Sequence, residues 1–165
     1  MKEIKAPKSF VGAEEPTLFL AGTIDNGASE DWQALVVRHL TGIPGTILNP
    51  RRDDWDDTWV QRATFTPFRE QVEWEQNAME RATWIGMNFL PDSKSPITLF
   101  ELGLHIRHPG LIVCCPKTFY RFGNVEIVAA RWGVRLYCDI QPWLSAVERA
   151  VLHSGRFYEK GSGGA

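Results

Sequence analysis

The hydrophobic positions of the chain fall into short apolar runs separated by longer amphipathic stretches. The runs are TLFLAG (17–22), GTILNP (45–50), WIGMNFL (84–90), LIVCC (111–115) and VRLYC (134–138). Each run has the length of a β-strand, and the intervals predict helices at about 29–40, 67–82, 96–107, 121–132 and 142–153. This alternation is typical of a parallel sheet that is covered by helices on both faces.

Right-handed crossovers between such strands favour a flavodoxin-like, doubly wound α/β fold, with five parallel strands in the order 2-1-3-4-5. Ligands of these sheets bind beyond the carboxyl ends of the strands, at the point where the strand order reverses. Here that point lies between the first and third predicted strands. We therefore expect the site to involve the segments that follow them, 22–28 and 91–95.

The length and composition predict a single domain over residues 1–165, with its core at about 17–154 and a flexible tail at 155–165. The formal net charge of −2 argues against a general binder of nucleic-acid polymers, which usually carries a basic excess. The chain offers neither an apolar run long enough for a membrane span nor a signal-peptide pattern at its start. Three cysteines without a C-x-x-C pair predict free thiols and a cytoplasmic protein.

Two glutamates interrupt apolar helical stripes on either side of the third predicted strand. One stripe contains Glu75 and the other contains Glu101; their apolar members are Phe68, Val72, Met79 and Ala82 in the first, and Ile97, Phe100 and Leu104 in the second. A buried carboxylate is costly unless it is paired or has a chemical role. Paired carboxylates are what the cleavage of a glycosidic bond requires. The alternative is that each glutamate lies at the edge of its stripe and reaches water or an arginine.

Other candidate residues have structural alternatives of similar weight. Gly22 and Thr23 precede a helix, so they either present backbone N–H groups to an anion or form a simple strand–turn–helix junction. Arg51 and Arg52 either clamp a phosphate or are solvated loop residues. The segment 49–66 is long and contains Trp55 and Trp59, which favours a lid or pocket wall over a disordered linker. Ser95, followed by Pro96, is well suited to cap a helix.

Neither a metal nor a cofactor is expected from the sequence. The four histidines show no convincing ligand spacing, and no Asp/His/Cys cluster supports a metal site. The phosphate-binding and nucleophile motifs of the common nucleotide-binding and hydrolase folds are also missing. The expected partner is therefore a small molecule.

Five motifs resemble one known family when they are read in order. They are LFLAGTI (18–24), LNPRRDDW (48–55), QVEWE (71–75), SPITLFELGLH (95–105) and FYRFGNVEIV (119–128). Together they resemble the nucleoside 2-deoxyribosyltransferase-like proteins, which are related to deoxynucleoside and deoxynucleotide N-glycosidases. The resemblance spans about residues 18–138 and implies the flavodoxin-like fold.

The resemblance also implies roles for particular residues. Glu101 matches the nucleophile, and Glu75 falls where the transferases keep an acidic residue that serves the departing base. Asn124 resembles an asparagine that reaches into the site of a neighbouring subunit, which implies a homo-oligomer. The remaining expected substrate-binding residues are Gly22, Thr23 and Ile24 beneath the sugar, Ser95 at the sugar or its 5′ phosphate, and Asn49, Arg51 and Arg52.

The implied reaction moves a 2-deoxyribosyl group between bases through a covalent glutamyl–glycosyl intermediate. Two alternatives remain open: a deoxynucleotide N-glycohydrolase, in which water takes the sugar, and a non-catalytic nucleotide-binding or sensor module. One departure from the family pattern favours the non-catalytic module. Phe19 stands where family enzymes often carry a tyrosine whose hydroxyl contacts the nucleophile.

Overall fold

A computed structural model describes residues 1–24 and 30–159 of the chain. In these residues, six parallel strands form one sheet in the order β1-β3-β2-β4-β5-β6. The strands are β1 (Lys2–Lys5), β2 (Thr17–Gly22), β3 (Thr46–Asn49), β4 (Trp84–Asn88), β5 (Leu111–Cys114) and β6 (Arg135–Tyr137). The helices are α1 (Trp32–His39), α2 (Thr66–Arg81), α3 (Pro96–His105), α4 (Phe122–Trp132) and α5 (Ile140–Glu159).

The predicted number of strands was wrong, because the sheet has six strands and not five. The five predicted strands are present as β2 to β6, and among themselves they keep the predicted order. The additional strand, β1, pairs with β3 in register from Lys2 opposite Thr46 to Lys5 opposite Asn49. Its sequence KEIK is charged and partly exposed, which suits an edge strand but leaves no apolar run to detect.

Two hydrophobic cores lie on opposite faces of the sheet. Helices α1 and α5 cover one face, where Trp32, Val36 and Trp143 pack together. Helices α2, α3 and α4 cover the other face, and Met79, Leu102 and Val125 belong to its core. Successive residues of β2 alternate between the two cores, as the side chains of a strand buried on both faces must.

Most of the helix boundaries differ from the predicted ones by a few residues. Helix α1 begins at Trp32, with the Asp31 side chain accepting a hydrogen bond from the Ala34 amide, whereas the predicted start near 29 lies outside the described residues. Helix α5 continues to Glu159, beyond the predicted end at 153, and residues 160–165 of the expected tail lie outside the described part of the chain. No helix within the described ranges is long and apolar enough to span a membrane.

Candidate active site

From the carboxyl ends of the neighbouring strands β2 and β4 the chain departs to opposite faces of the sheet, and folds of this type bind ligands in a crevice at such a point. Gly22 and Asn88 are register partners at the ends of these strands. The chain continues from β2 to α1 on one face, and from β4 to α3 on the other. This divergence is the topological switch point of the fold, and it brings Thr23 against Ser95. The two residues belong to the segments in which the sequence analysis expected the site.

Ser95 occupies the N-cap position of α3, but its hydroxyl does not cap the helix. The residue has a left-handed backbone conformation, with φ of 42° and ψ of 51°, and among the described residues its side chain makes no capping hydrogen bond to the helix. Instead its hydroxyl oxygen lies 2.5 Å from that of Thr23 and 2.6 Å from that of Ser93. The expected cap is therefore replaced by a buried hydroxyl network facing the crevice.

Thr23 is fixed by contacts with β4 and the segment after it. Its backbone N–H donates to the Asn88 carbonyl, and its hydroxyl oxygen accepts a hydrogen bond from the Leu90 amide. Gly22 before it has φ of +143°, and a Cβ there would collide with the carbonyl oxygen of Asn88. Glycine is required at this position because the two strand ends approach so closely.

Glu75 projects from α2 toward the loop after β3. Gln71, one turn earlier on the same helix, donates a hydrogen bond from its side-chain nitrogen to the Glu75 carboxylate at 2.8 Å. The same nitrogen donates to the Pro50 carbonyl, also at 2.8 Å. Burial raises the pKa of Glu75 to about 7, and the hydrogen bond from Gln71 opposes that rise only in part.

Glu101 lies on the buried face of α3, where the residue is 6% exposed. Burial, and to a smaller extent the nearby charge of Glu75, raises the pKa of Glu101 to about 8. No hydrogen bond from the described residues stabilises its ionised form. The charge of Glu75 therefore acts on Glu101, and the pKa values of both carboxyl groups are raised from about 4.5 toward the neutral range, where proton donors and nucleophiles are useful.

The apolar stripe predicted on α3 does not face the core. Ile97, Phe100 and Leu104 are all more than half exposed, whereas Glu101 is buried beside Thr98 and Leu102. The stripe on α2 is only partly displaced, since Met79 and Ala82 are buried as predicted but Val72 is exposed. Gln71 and Trp74 are buried in addition. Glu101 is buried as expected, but it is not buried between the neighbours that the pattern indicated.

In the loop after β3, three aromatic side chains pack against one another. The ring centroids of Trp55 and Trp59 lie 5.0 Å apart, and Phe65 packs on Trp59 at 6.0 Å. The Arg52 guanidinium lies over the Trp59 ring and forms two hydrogen bonds of 2.8 Å with the Asp54 carboxylate. Arg52 is thus engaged within the loop itself.

Asn49 and Arg51 also have partners within the protein. The buried Asn49 side chain donates to Glu3 of the edge strand and accepts from the Arg51 amide. The Arg51 side chain approaches Asp31, with 3.8 Å between Nε and a carboxylate oxygen. These contacts hold the loop against α1 and β1, so the expected substrate-binding role of Asn49, Arg51 and Arg52 remains a prediction.

Two further expected residues lie at the ends of the described site. Ile24 is half-buried directly after Thr23, and the segment 25–29 that follows it is outside the described residues. Asn124 is exposed near the start of α4, on the face of the sheet that also carries α2 and α3. Its expected contact with a neighbouring subunit stays a prediction.

Sequence reasoning missed two residues that support the site. Gln71 is 4% exposed and connects Glu75 to the loop after β3, and Ser93 bonds to both the amide and the hydroxyl of Ser95. The spacing of four residues between Gln71 and Glu75 was a detectable signal. The role of Ser93 depends on a backbone turn that the sequence does not reveal.

The described residues contain no cluster of three or more His, Cys, Asp or Glu side chains placed to hold a metal ion. Cys114 and Cys115 are free and buried at the end of β5, as the apolar run predicted, and burial raises the pKa of each thiol to about 12. Within the described part of the chain, the chemistry of the crevice thus centres on carboxyl and hydroxyl groups.

Residues 15–119 match the family described as nucleoside 2-deoxyribosyltransferase like. The match covers most of the chain, from before β2 to beyond β5, and includes Thr23, Glu75, Ser95 and Glu101. The chain therefore belongs to the nucleoside 2-deoxyribosyltransferase-like family. No curated protein matches it significantly.

Proposed function

We propose that this protein cleaves the N-glycosidic bond of a deoxynucleoside or deoxynucleotide and transfers the 2-deoxyribosyl group to a second base. The observation that carries the proposal is the pair of enclosed carboxyl groups, Glu75 and Glu101, whose pKa values rise to about 7 and about 8 beside the switch-point crevice. Family membership supports the same class of chemistry.

In the first step, a carboxylate oxygen of Glu101 bonds to C1′ of the sugar while the bond from C1′ to the base nitrogen breaks. The proton of Glu75 passes to the departing base, which leaves as the neutral heterocycle. In the second step, a nitrogen of the incoming base attacks C1′, the bond to Glu101 breaks, and the proton of that nitrogen returns to Glu75. Two displacements at C1′ give overall retention.

The order of the two pKa values opposes these roles in the free protein, because Glu75, at about 7, gives up its proton before Glu101, at about 8. Since each ionised carboxylate disfavours ionisation of the other, the pair holds a single negative charge over part of the neutral range. The mechanism requires that charge on Glu101 and the remaining proton on Glu75 once substrate is bound. In this proposal, the neighbouring hydroxyls of Ser95 and Thr23 donate to the sugar or its 5′ substituent.

The aromatic loop after β3 bears on the choice between transfer and hydrolysis. Transfer requires that water be kept from the glycosyl-enzyme while bases exchange. Trp55 and Trp59 supply apolar surface on a loop that Gln71 ties to Glu75 through Pro50. If this surface covers the base, a second base competes well with water; otherwise the protein is a deoxynucleotide N-glycohydrolase.

We also propose that the protein works as a homo-oligomer. Helix α3 exposes Ile97, Phe100 and Leu104, and α4 exposes Ile127. Exposed apolar residues at this density are typical of a subunit contact. Asn124, which is exposed near the start of α4, would take part in this contact. Size measurement of the wild type and of Phe100→Glu tests this, with a smaller species expected for the variant.

A second candidate function, a nucleotide-binding module without turnover, is favoured by Phe19. That ring is fully buried in the core containing Leu102, and no hydroxyl is available from it to orient Glu101. A module of this kind would hold a nucleotide tightly and leave it intact after hours of incubation.

The deciding experiment incubates the purified protein with a panel of deoxynucleosides and deoxynucleotides, with and without free adenine or cytosine, and separates the products by chromatography. Base exchange that needs an acceptor supports a transferase, and base release without an acceptor supports a hydrolase. Glu101→Gln should abolish either reaction, whereas Glu126→Gln, at an exposed position on α4, should not. Full activity in Glu101→Gln would overturn the proposal.

A further inference from the structure

Gln71 uses one nitrogen atom for two hydrogen bonds beside Glu75. Its side-chain nitrogen, Nε2, donates to the Pro50 carbonyl and to the Oε1 oxygen of the Glu75 carboxylate, each at 2.8 Å. Gln71 is 4% exposed, so bulk water has little access to either bond. An amide nitrogen carries two hydrogens, and both are used here. The Gln71 side chain therefore joins one carboxyl group of the candidate active site to the start of the loop after β3.

The Pro50 carbonyl sets which end of the Gln71 amide faces Glu75. A backbone carbonyl oxygen only accepts hydrogen bonds, so the atom 2.8 Å from it has to be the amide nitrogen. A flipped amide would place its oxygen against the Pro50 oxygen and against the Glu75 carboxylate. Gln71 is therefore a donor toward Glu75 whether that carboxyl group is ionised or neutral.

The two oxygens of Glu75 differ in their contacts. Oε1 accepts the hydrogen bond from Gln71, whereas Oε2 makes none with the described residues, and Glu75 as a whole keeps part of its surface exposed. A neutral carboxyl group has a carbonyl oxygen, which is the better acceptor, and a hydroxyl oxygen, which carries the proton. A permanent donor at Oε1 favours the carbonyl role for that atom and leaves the proton to Oε2.

We propose that Gln71 is a positioning residue that holds the acid proton of Glu75 on Oε2, the oxygen that remains for the departing base. This inference rests on the proposed function, in which Glu75 protonates that base. Without the donor, the two oxygens would be alike and the proton would be distributed over both. Because the same nitrogen bonds to Pro50, the loop after β3 also fixes the place of the carboxyl group.

The same hydrogen bond assists the release of the proton. As the proton passes from Oε2 to the base nitrogen and the bond from C1′ to that nitrogen breaks, Glu75 becomes a carboxylate. The hydrogen bond from Gln71 is then charge-assisted and therefore stronger. It already opposes the burial that raises the pKa of Glu75 to about 7. Gln71 thus stabilises Glu75 more after proton transfer than before it, which lowers the barrier to departure of the base.

Neutron diffraction from a wild-type crystal exchanged into D₂O locates the proton directly. At about pH 5.5, below its pKa of about 7, Glu75 holds its proton. We expect deuterium on Oε2 of Glu75, none on Oε1, and two deuterium atoms on the Gln71 nitrogen. Deuterium on Oε1, or a Gln71 amide with its oxygen toward Glu75, would overturn the inference. This measurement requires neither turnover nor a variant.

Gln71→Met removes both donors and keeps the length of the side chain, and Gln76→Met makes the same change at a partly exposed position on α2 as the matched control. The substrates are deoxyuridine and 5-nitrodeoxyuridine, with and without a 5′ phosphate; nitrouracil leaves as a stable anion and needs no proton. We expect Gln71→Met to lose about tenfold or more in kcat with the uracil substrate and less than about twofold with the nitrouracil substrate. The control should match wild type with both.

The titration of Glu75 gives a second readout in the same variants. Carboxyl ¹³C NMR should place the pKa of Glu75 above about 7 in Gln71→Met, because the hydrogen bond that lowers it is lost, and should leave it unchanged in Gln76→Met. An amide spectrum of each variant verifies that it is folded. An unchanged Glu75 titration in folded Gln71→Met would overturn the inference.

The outcomes distinguish this inference from the proposed function. If wild type turns over deoxynucleosides or deoxynucleotides but Gln71→Met loses the same factor with both bases, the proposed activity stands and Gln71 has only a structural role. If deuterium lies on Oε2 and the Glu75 titration moves as expected, but wild type converts no substrate, the arrangement at Glu75 is supported and the proposed activity fails.

Discussion

The hydroxyl oxygens of Thr23 and Ser95 lie 2.5 Å apart, although 72 residues separate them along the chain. One residue follows β2 and the other precedes α3, so this contact joins the two segments that diverge at the switch point. Ser95 is held there in a left-handed conformation, which is uncommon for a residue other than glycine. Backbone strain of this kind is typical of functional sites.

Two substitutions at Ser95 separate its hydroxyl from its backbone. Ser95→Ala removes the hydroxyl and leaves Thr23 and Ser93 with one partner fewer, at a cost of about 1 kcal/mol. Ser95→Gly removes the same hydroxyl, but glycine adopts the left-handed conformation without penalty, so this variant should be the more stable by about 1 kcal/mol. We expect both to lose about tenfold or more in kcat/KM. Activity that follows stability, with Ser95→Gly close to wild type, would show that the hydroxyl does not serve the substrate.

Glu75→Gln tests the electrostatic coupling of the two carboxyl groups. The charge of Glu75 contributes to the raised pKa of Glu101, so its removal should lower that pKa from about 8, while burial still keeps it above the ordinary value. Carboxyl ¹³C titration by NMR measures the shift directly. In the enzyme, the acidic limb of the pH profile should move to lower pH, and the rate should fall most for bases that leave poorly. An unchanged Glu101 titration would contradict the coupling.

Glu101→Gln should make the protein more stable at alkaline pH. Between about 4.5 and about 8, folded Glu101 retains a proton that the unfolded chain releases, so the free energy of unfolding falls as pH rises through this window. Glutamine stays neutral and removes this contribution. At roughly 1.4 kcal/mol per pKa unit, the variant should exceed wild type by about 2–4 kcal/mol near pH 8 and by little near pH 5.

Urea unfolding at several pH values measures that difference, and Glu126→Gln is the matched control. Because Glu126 is exposed on α4, its replacement should leave the pH dependence of stability unchanged. If wild type and Glu101→Gln lose stability in parallel as pH rises, Glu101 ionises readily in the folded protein. That result would contradict the burial of its carboxyl group.

The parts of the fold that the sequence predicted depend on local hydrophobic patterns. Each of the strands β2 to β6 contains an apolar run, and burial on both faces makes such runs visible in the sequence. The edge strand β1 was missed for two reasons. Its sequence contains no apolar run, and its position depends on pairing with β3, a distant segment of the chain. The strand order was that of the flavodoxin-like fold, which right-handed crossovers between alternating strands and helices favour.

The sequence indicated candidate residues for the site, but it did not indicate how they are packed or which residues they contact. Burial of Glu101 was expected from a stripe whose apolar residues, Ile97 and Phe100, are exposed instead. Helical periodicity identifies an apolar face of a helix. It does not tell whether that face packs against the sheet or is exposed to solvent. Ser95 likewise satisfied the local rule for a helix cap, and only the distant Thr23 explains why its hydroxyl turns away.

Phe19→Tyr tests whether the missing hydroxyl limits the protein. Phe19 is buried in the same core as Leu102, which follows Glu101 on α3. If the new hydroxyl reaches the Glu101 carboxylate, its hydrogen bond favours the ionised form and lowers the pKa of Glu101. The rate near pH 7 should then rise by up to about tenfold in total, because only about a tenth of Glu101 is ionised there when its pKa is about 8. Paired measurements of the Glu101 titration and of turnover check this. A variant that lowers the pKa but turns over nothing would favour the binding module, and an unchanged pKa would show that the hydroxyl does not reach Glu101.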